Sequence, residues 1–266
     1  MGDVVRTLRL VALGTALGIG LLASACAAPV RADTVTTAKA AVTWSTCVPR
    51  AIHYDNAYRV DNDIFKGKKG TSCLSGNGST FTIGRNYLWQ KPDTVVAYPA
   101  IRFGPYYGSG DPQSGLPVRS TTRENITLHV ASTGHSGGWW ITDSDSWFFP
   151  TSNVTGHGNY ELVIETRWSR NEDGLDKAVW RRVSAGHREW YYDSWITPGG
   201  WRLDAFRLVH ETDSLKLRVG TFIWHARQLG DLPHTEYLAN TAFGTECWSG
   251  CYGLTDALTV TGTVAR

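Results

Sequence analysis

Hydrophobic and polar residues alternate along most of this chain in short runs, separated by clusters of Gly, Pro, Asn and Asp. That pattern predicts β-strands joined by turns. The clearest runs are Ser79–Ile83, Val95–Ile101, Ile126–Ala131, Tyr160–Trp168, Trp190–Ile196, Ala205–His210 and Leu258–Val264. Turn signals fall at Ser75–Gly78, Gly108–Gly115 and Thr197–Gly200. One segment has a different period. In Leu215–Leu229, the residues Leu215, Val219, Phe222, Ile223 and Ala226 form a stripe at helical spacing, with Lys216, Arg218 and Arg227 off it and Gly230 as a stop. Many strands and one late helix predict an all-β domain, a jelly roll or similar sandwich of two packed antiparallel sheets. There are no internal repeats and no low-complexity linker.

The amino terminus departs from this pattern. Arg6 and Arg9 precede an uncharged apolar run, Leu10–Ala28, and small residues follow. This predicts a secretory signal peptide over residues 1–32, with Val30 and Ala32 at the small-residue positions before cleavage. A membrane anchor is the alternative reading, and Cys26 raises a lipid-modified cysteine as a third. Residues 33–42 read as a flexible lead-in and 43–266 as one domain, a size common for sandwiches. The formal charge is +2 for the whole chain. Loss of Arg6, Arg9 and Arg31 against Asp3 brings it to about zero. A near-neutral domain has no electrostatic case for nucleic acid or an anionic membrane; an uncharged polymer suits it better. All 12 tryptophans lie beyond residue 40. Most are expected in the core, and some as platforms for sugar rings.

Export favours disulfides. Cys47, Cys73, Cys247 and Cys251 allow three pairings, and proximity favours Cys47–Cys73 and Cys247–Cys251. A zinc site lacks the paired ligand spacing, the 8 histidines are scattered, and there is no H-E-x-x-H. No metal or cofactor is expected. Asn77, Asn125 and Asn153 open N-x-[ST] sequons, which matter only in a eukaryotic host.

Candidate chemistry lies in two segments. In Asn159–Trp168, NYELVIETRW, strand alternation puts Glu161, Val163 and Glu165 on one face and the apolar Tyr160, Leu162 and Ile164 on the other. Carboxylates in mid-strand are costly to bury without partners, so their face should line a groove or meet solvent. In Phe243–Gly253, FGTECWSGCYG, Glu246 sits beside Trp248 and the Cys247–Cys251 pair, where a local disulfide would fix its backbone. Taken singly, the first segment could be a solvated strand face and the second a stapled turn.

Together the two segments resemble glycoside hydrolase family 12, endoglucanases and xyloglucanases with a β-jelly-roll fold. YELVIE is similar to the family's YE-[IL]-M-I-W strand, and GTECWSG to its G-[TF]-E-x-[FW]-x-G motif. The interval from Glu161 to Glu246 also agrees. Further likenesses are YRVDNDIFKG at Tyr58–Gly67, AYP at Ala97–Pro99, DSWFFP at Asp145–Pro150 and EYLANTAFGTE before Glu246. The resemblance implies a retaining mechanism on a β-glucan, with Glu161 as nucleophile, Glu246 as general acid/base and Asp145 as a carboxylate near the nucleophile. It places Asn62 and Phe65 at sugar-contacting positions, to which we add Trp147, Glu165 and Trp248. It also implies the Cys47–Cys73 bridge. The expected partner is therefore a neutral polysaccharide, and the expected state a secreted monomer.

The sequence departs from the family at Val163 for Met, Glu165 for Trp, Asp63 for Asn and Phe65 for Trp. These positions shape sugar subsites, so the reaction is better specified than the substrate. Glu165, about 13 Å along the strand from Glu161, is expected to accept hydrogen bonds from sugar hydroxyls or else to pair with a base such as Arg167 or Arg170. Two other functions fit a groove lined by aromatic residues: a lectin-like sandwich without turnover, and a polysaccharide lyase. A lyase usually needs a basic residue and charge neutralisation of a uronate, whereas this groove is acidic.

Overall fold

The computed structural model describes residues 43–55, 58–65, 70–77, 80–88, 95–106, 114–122, 126–132, 138–169, 180–212, 214–249 and 256–259. The expected signal peptide, the lead-in and Cys26 lie outside the described residues. The first strands are β1 (Thr43–Thr46), β2 (Ile52–Asp55), β3 (Tyr58–Asp61), β4 (Gly70–Asn77), β5 (Thr80–Leu88) and β6 (Ala100–Phe103). Next come β7 (Val118–Arg119), β8 (Thr127–Ser132), β9 (Trp139–Phe149), β10 (Tyr160–Trp168), β11 (Arg181–Ala185) and β12 (Arg188–Ile196). The chain continues through β13 (Arg202–Leu208), β14 (Ser214–Arg218), α1 (Val219–Gln228), β15 (Tyr237–Ser249) and β16 (Asp256–Thr259).

Two sheets form the sandwich, as the alternation predicts. The smaller has the order β1-β4-β5-β16-β8-β14 and the larger β11-β12-β13-β10-β9-β15-β6-β3-β2, with β7 also pairing β15. One pairing differs from the antiparallel expectation: β13 lies parallel to β10, because the chain leaves β10, runs out through β11 and β12, and returns beside it. Val60, Leu74, Ile83, Phe103, Phe148, Leu162, Ile164, Phe206 and Phe243 pack in the core. Each such side chain contributes roughly 1.5–3 kcal/mol when fully buried.

The helix is shorter than its hydrophobic stripe. Residues 214–218 form β14, pairing with β8 and burying Leu215 and Leu217 while Ser214, Lys216 and Arg218 face out. Leu215 and Val219 are four apart, so the same residues satisfy a helical stripe, and the pairing partner that decides for a strand is remote in sequence. The helix itself buries Val219, Phe222, Ile223 and Ala226 and ends at Gln228, just before Gly230, whose φ of 83° suits glycine. Two strands are also shorter than their hydrophobic runs. Of the run Val95–Ile101 only Ala100 and Ile101 belong to a strand, although Ala97 makes single bridges to Ile64 and Cys247. The run Leu258–Val264 keeps only its first residues in β16, and 260–264 lie outside the described residues.

The central strand β9 looks too polar for a core position. Its core face carries Thr142, Ser144 and Ser146 between Trp140 and Phe148. These hydroxyls are satisfied across the β9–β15 pair: Ser146 meets Thr241 at 2.7 Å, Ser144 meets Thr241 at 3.3 Å and Thr142 meets Thr245 at 3.2 Å. Buried hydroxyls cost little when paired in this way. The Cys47–Cys73 bridge is formed. Cys247 is buried and disulfide-bonded, and its expected partner Cys251 lies outside the described residues.

Candidate active site

Strand pairing determines which side chains share the outer face of the larger sheet. On β10, Glu161, Val163 and Glu165 stand beside Trp147, Asp145 and Asp143 of β9. On the other side of β9, Asn240, Ala242 and Gly244 of β15 stand beside the same three residues, and Glu246 follows at the level of Ile141. Alternation thus puts Glu161, Asp145, Asp143 and Glu246 on one face, in a diagonal row across three neighbouring strands. Arg102 joins from β6, Asp61 from β3 and Arg207 from β13.

Indole N–H groups hold three of these acids. Trp201 donates to Glu161 Oε2 at 2.6 Å, Trp147 to Asp145 Oδ2 at 2.9 Å and Trp248 to Glu246 Oε2 at 2.8 Å. Trp201 follows the Thr197–Gly200 turn, which closes on itself through Thr197 N–H to the Trp201 carbonyl at 2.9 Å. Its ring stacks on His157, with centroids 5.6 Å apart and planes 10° apart, and contacts Trp147 at 5.6 Å. His157, Trp201 and Trp147 form an aromatic wall beside Glu161. Trp195 shares the face through its register with Leu203, is exposed, and packs near Trp180.

Burial raises the pKa values of Asp143, Asp145 and Glu161, and neighbouring charges add to the rise at Asp143 and Glu161. Asp145 is pushed up to about 6 by burial, against the pull of Arg102 and the Trp147 N–H. Glu161 is raised well above the ordinary carboxylate range, first by burial, then by the charges of Asp145 and Glu246, against the Trp201 hydrogen bond. Asp143 is also raised well above that range, by burial and then by Glu246 and Asp145. Carboxyls this close cannot all ionise, so the row holds protons into the range where isolated acids have lost them. Such a set can present one ionised and one protonated carboxyl at the same pH. No group of three or more His, Cys, Asp or Glu among the described residues is arranged to hold a metal ion.

The expected site residues divide by position. Glu161, Glu246, Asp145, Trp147 and Trp248 come together on this face. Phe65 packs over its floor against Tyr98, Ala100 and Ala242. Asn62 lies elsewhere: it is 0% exposed, and its amide donates to the carbonyls of Val48 at 3.0 Å and Ser72 at 2.9 Å. It ties the segment after β3 to β4 in the interior. Glu165 is 6% exposed and forms an ion pair with Arg207, directly opposite on β13. The bond is made by Arg207 rather than by Arg167, and Arg170 lies outside the described residues. Arg207 also lies over the rings of Trp168 at 5.1 Å and Trp180 at 5.8 Å.

The sequence reading missed Asp143, Trp201, Arg207 and Arg102. Asp143 was accessible in principle, since it sits two residues before Asp145 and so shares its face. Trp201 and Arg207 carry no local signal, because each reaches its acid from about 40 residues away.

The ionisation of Asp145 has a thermodynamic consequence. Its folded pKa of about 6 lies above the unfolded value, so its ionisation works against the fold as pH rises from about 4 to about 6, and the cost then stays constant. Asp145→Asn retains an acceptor for Trp147 and removes that charge. The variant is expected to match wild-type stability below pH 4 and to exceed it above pH 6, by about 1–3 kcal/mol. Urea unfolding at pH 3.5 and 7 measures the difference; a gap that does not widen with pH would refute it.

No family model matches the sequence, and no curated protein does. Solved structures do. A metagenome-derived glycoside hydrolase family 12 endoglucanase matches 85% of this chain and 100% of its own at a TM-score of 0.73 and 29% identity. Endoglucanase Cel12A from Rhodothermus marinus matches 84% of this chain and 99% of its own at 0.72 and 28%. The fold is that of glycoside hydrolase family 12. A family 12 xyloglucanase from Bacillus licheniformis matches 84% of this chain at 0.72, and at 22% identity it speaks for the fold alone. The likeness to the two endoglucanases supports glycoside hydrolase chemistry for this chain.

Proposed function

We propose that the chain is a retaining endo-β-1,4-glucanase, acting on cellulose, mixed-linkage glucan or xyloglucan. The observation that carries this reading is the placement of Glu161 and Glu246 on one sheet face, each held by an indole N–H and each within reach of the other's charge. In the first step Glu161 attacks the anomeric carbon while Glu246 protonates the departing glycosidic oxygen. The C–O bond breaks and a glycosyl ester forms on Glu161. In the second step Glu246 takes a proton from water, the resulting hydroxide attacks the anomeric carbon, and the ester bond to Glu161 breaks. The sugar leaves with its original configuration. Retention calls for the two carboxyls about 5–5.5 Å apart. Asp145 hydrogen-bonds beside the nucleophile, and the wall of Trp147, Trp201 and His157 offers flat faces on which pyranose rings can stack.

We place the enzyme outside the cell as a monomeric single domain, residues 43–266, released from a signal peptide over 1–32. The partner is neutral β-glucan, with no cofactor. Reducing-sugar release from a panel of neutral β-glucans, with the product anomer followed by NMR, tests the reading. Release of the β-anomer supports it. Binding without release favours the lectin-like alternative, and unsaturated products a lyase.

A further inference from the structure

Of the acids on the sheet face, Asp61 and Glu165 are held by arginines and three others enter the proposed mechanism, which leaves Asp143. Asp143 is 2% exposed, on β9 between Gly244 of β15 and Glu165 of β10. Every other acid in the row has a donor of its own: Trp201 for Glu161, Trp147 for Asp145, Trp248 for Glu246 and Arg207 for Glu165. Among the described residues Asp143 has only the hydroxyl of Tyr98, which reaches its main-chain carbonyl at 3.4 Å and also acts on its carboxyl. Its Oδ1 is buried with no hydrogen-bond partner among the described residues. A buried carboxylate with an unsatisfied oxygen is costly, and a protonated carboxyl is a donor in search of an acceptor.

Glu165, directly opposite on β10, is engaged by Arg207, so the candidate partner is Glu246. It is the next residue after Gly244 on the same face of β15, a diagonal neighbour of Asp143, at a Cα span of roughly 7–8 Å that two carboxylic side chains can bridge. Gly244 contributes no side chain between them. It cannot carry one, since an added Cβ would fall 2.3 Å from the Pro99 carbonyl oxygen and 2.7 Å from Ala100 Cβ. The other ionisable groups facing the pair are Asp145 on β9, Glu161 and Glu165 on β10, Arg207 on β13, Arg102 on β6 and Tyr98 just before β6. Arg207 is taken up by Glu165, and Arg102 by Asp61 at 3.2 Å and Asn240 at 3.1 Å. Of the charges acting on Asp143, that of Glu246 ranks first, ahead of Asp145 and Glu165.

We propose that Asp143 is a positioning residue for Glu246, a second buried carboxyl that shares one proton with the general acid and keeps it loaded. The inference rests on the proposed role of Glu246 as general acid/base. Two adjoining buried carboxyls lose their first proton readily and keep the second. The retained proton is the one the leaving oxygen needs. After transfer, the Glu246 carboxylate and Asp143 share the proton that water supplies in the second step. Asp143 never touches the substrate in this scheme. Its contribution is to extend the pH range over which Glu246 can act as an acid.

The test is the pH profile of kcat/KM for wild type and Asp143→Asn. Without the second carboxyl the last proton leaves Glu246 earlier, so the alkaline limb should move down by about one pH unit, a roughly tenfold loss at pH values above it. A merely structural role would lower the whole profile without moving the limb, and that result overturns the proposal. Asp143→Ser, neutral and smaller, should give the same displacement and guards against poor folding of the first variant. Carbon-13 NMR titration of glutamate-labelled protein, with Glu246→Gln for assignment, reads the Glu246 pKa without turnover. A value that falls in Asp143→Asn supports the shared proton, and an unchanged value refutes it even if wild type cleaves no glucan. Lack of any cleavage by wild type would instead count against the proposed function.

Discussion

Glu161→Gln is expected to fold normally and to lose at least about a thousandfold in kcat on every substrate, because the amide cannot form the glycosyl ester. Its isosteric side chain keeps the acceptor for Trp201, and removal of a buried charge leaves stability unchanged or slightly raised. Glu246→Gln should behave differently. General-acid assistance is worth ~10²–10⁴, and an aryl glycoside with a good leaving group does not need it for bond cleavage. Glycosyl-enzyme formation should therefore survive on such substrates, deglycosylation should become limiting, and a small external nucleophile such as azide should restore turnover. Burst kinetics on a series of aryl β-glycosides distinguishes the two variants. Equal losses in both, whatever the leaving group, would show that the two glutamates do not divide the work as nucleophile and general acid/base.

The second large effect concerns the fold rather than the chemistry. Arg207→Ala should leave the Glu165 carboxyl buried without its partner. Burial already raises its pKa, and the Arg207 charge and hydrogen bond oppose that rise. Breaking a buried pair from one side typically costs ~3–5 kcal/mol, and protonation of Glu165 limits the loss. A fall in Tm on the order of 10 °C is expected at pH 7. It should be smaller near pH 4, where the carboxyl is neutral with or without arginine. The double variant Glu165→Leu with Arg207→Met should recover most of the loss, since both charges are then replaced by apolar groups of similar bulk. Calorimetry at the two pH values decides the matter. If the single variant loses nothing, the pair is solvated. Glu165 would then be open to sugar hydroxyls, as its position along β10 first suggested.

Much of this molecule can be read from local pattern. The bounds of β10 came directly from alternation in YELVIETRW, because a strand buried on one face writes a period of two into its sequence. The same period placed Glu161 opposite the core and beside Glu165. The Cys47–Cys73 bridge followed from proximity and resemblance, and the helix stop at Gly230 from glycine chemistry. The two catalytic candidates were legible because short motifs carried them at a familiar interval.

What local pattern could not decide were questions of partnership. Leu215 fits a helical stripe and a strand equally well, and only the pairing of β14 with β8 settles it. Thr142, Ser144 and Ser146 read as a polar segment until the hydroxyls of Thr241 and Thr245 arrive on the neighbouring strand. Asn62 resembles a sugar ligand in its motif and proves to be an interior tie. Glu165 has the alternation of a groove residue, but Arg207, some forty positions later, turns it into half of an ion pair. In each case the deciding energy lies in a hydrogen bond or charge contact between residues far apart in sequence. Alternation along the chain records which face a side chain takes. The packed sheet determines which groups meet it there, and with them its charge, its exposure and its chemistry.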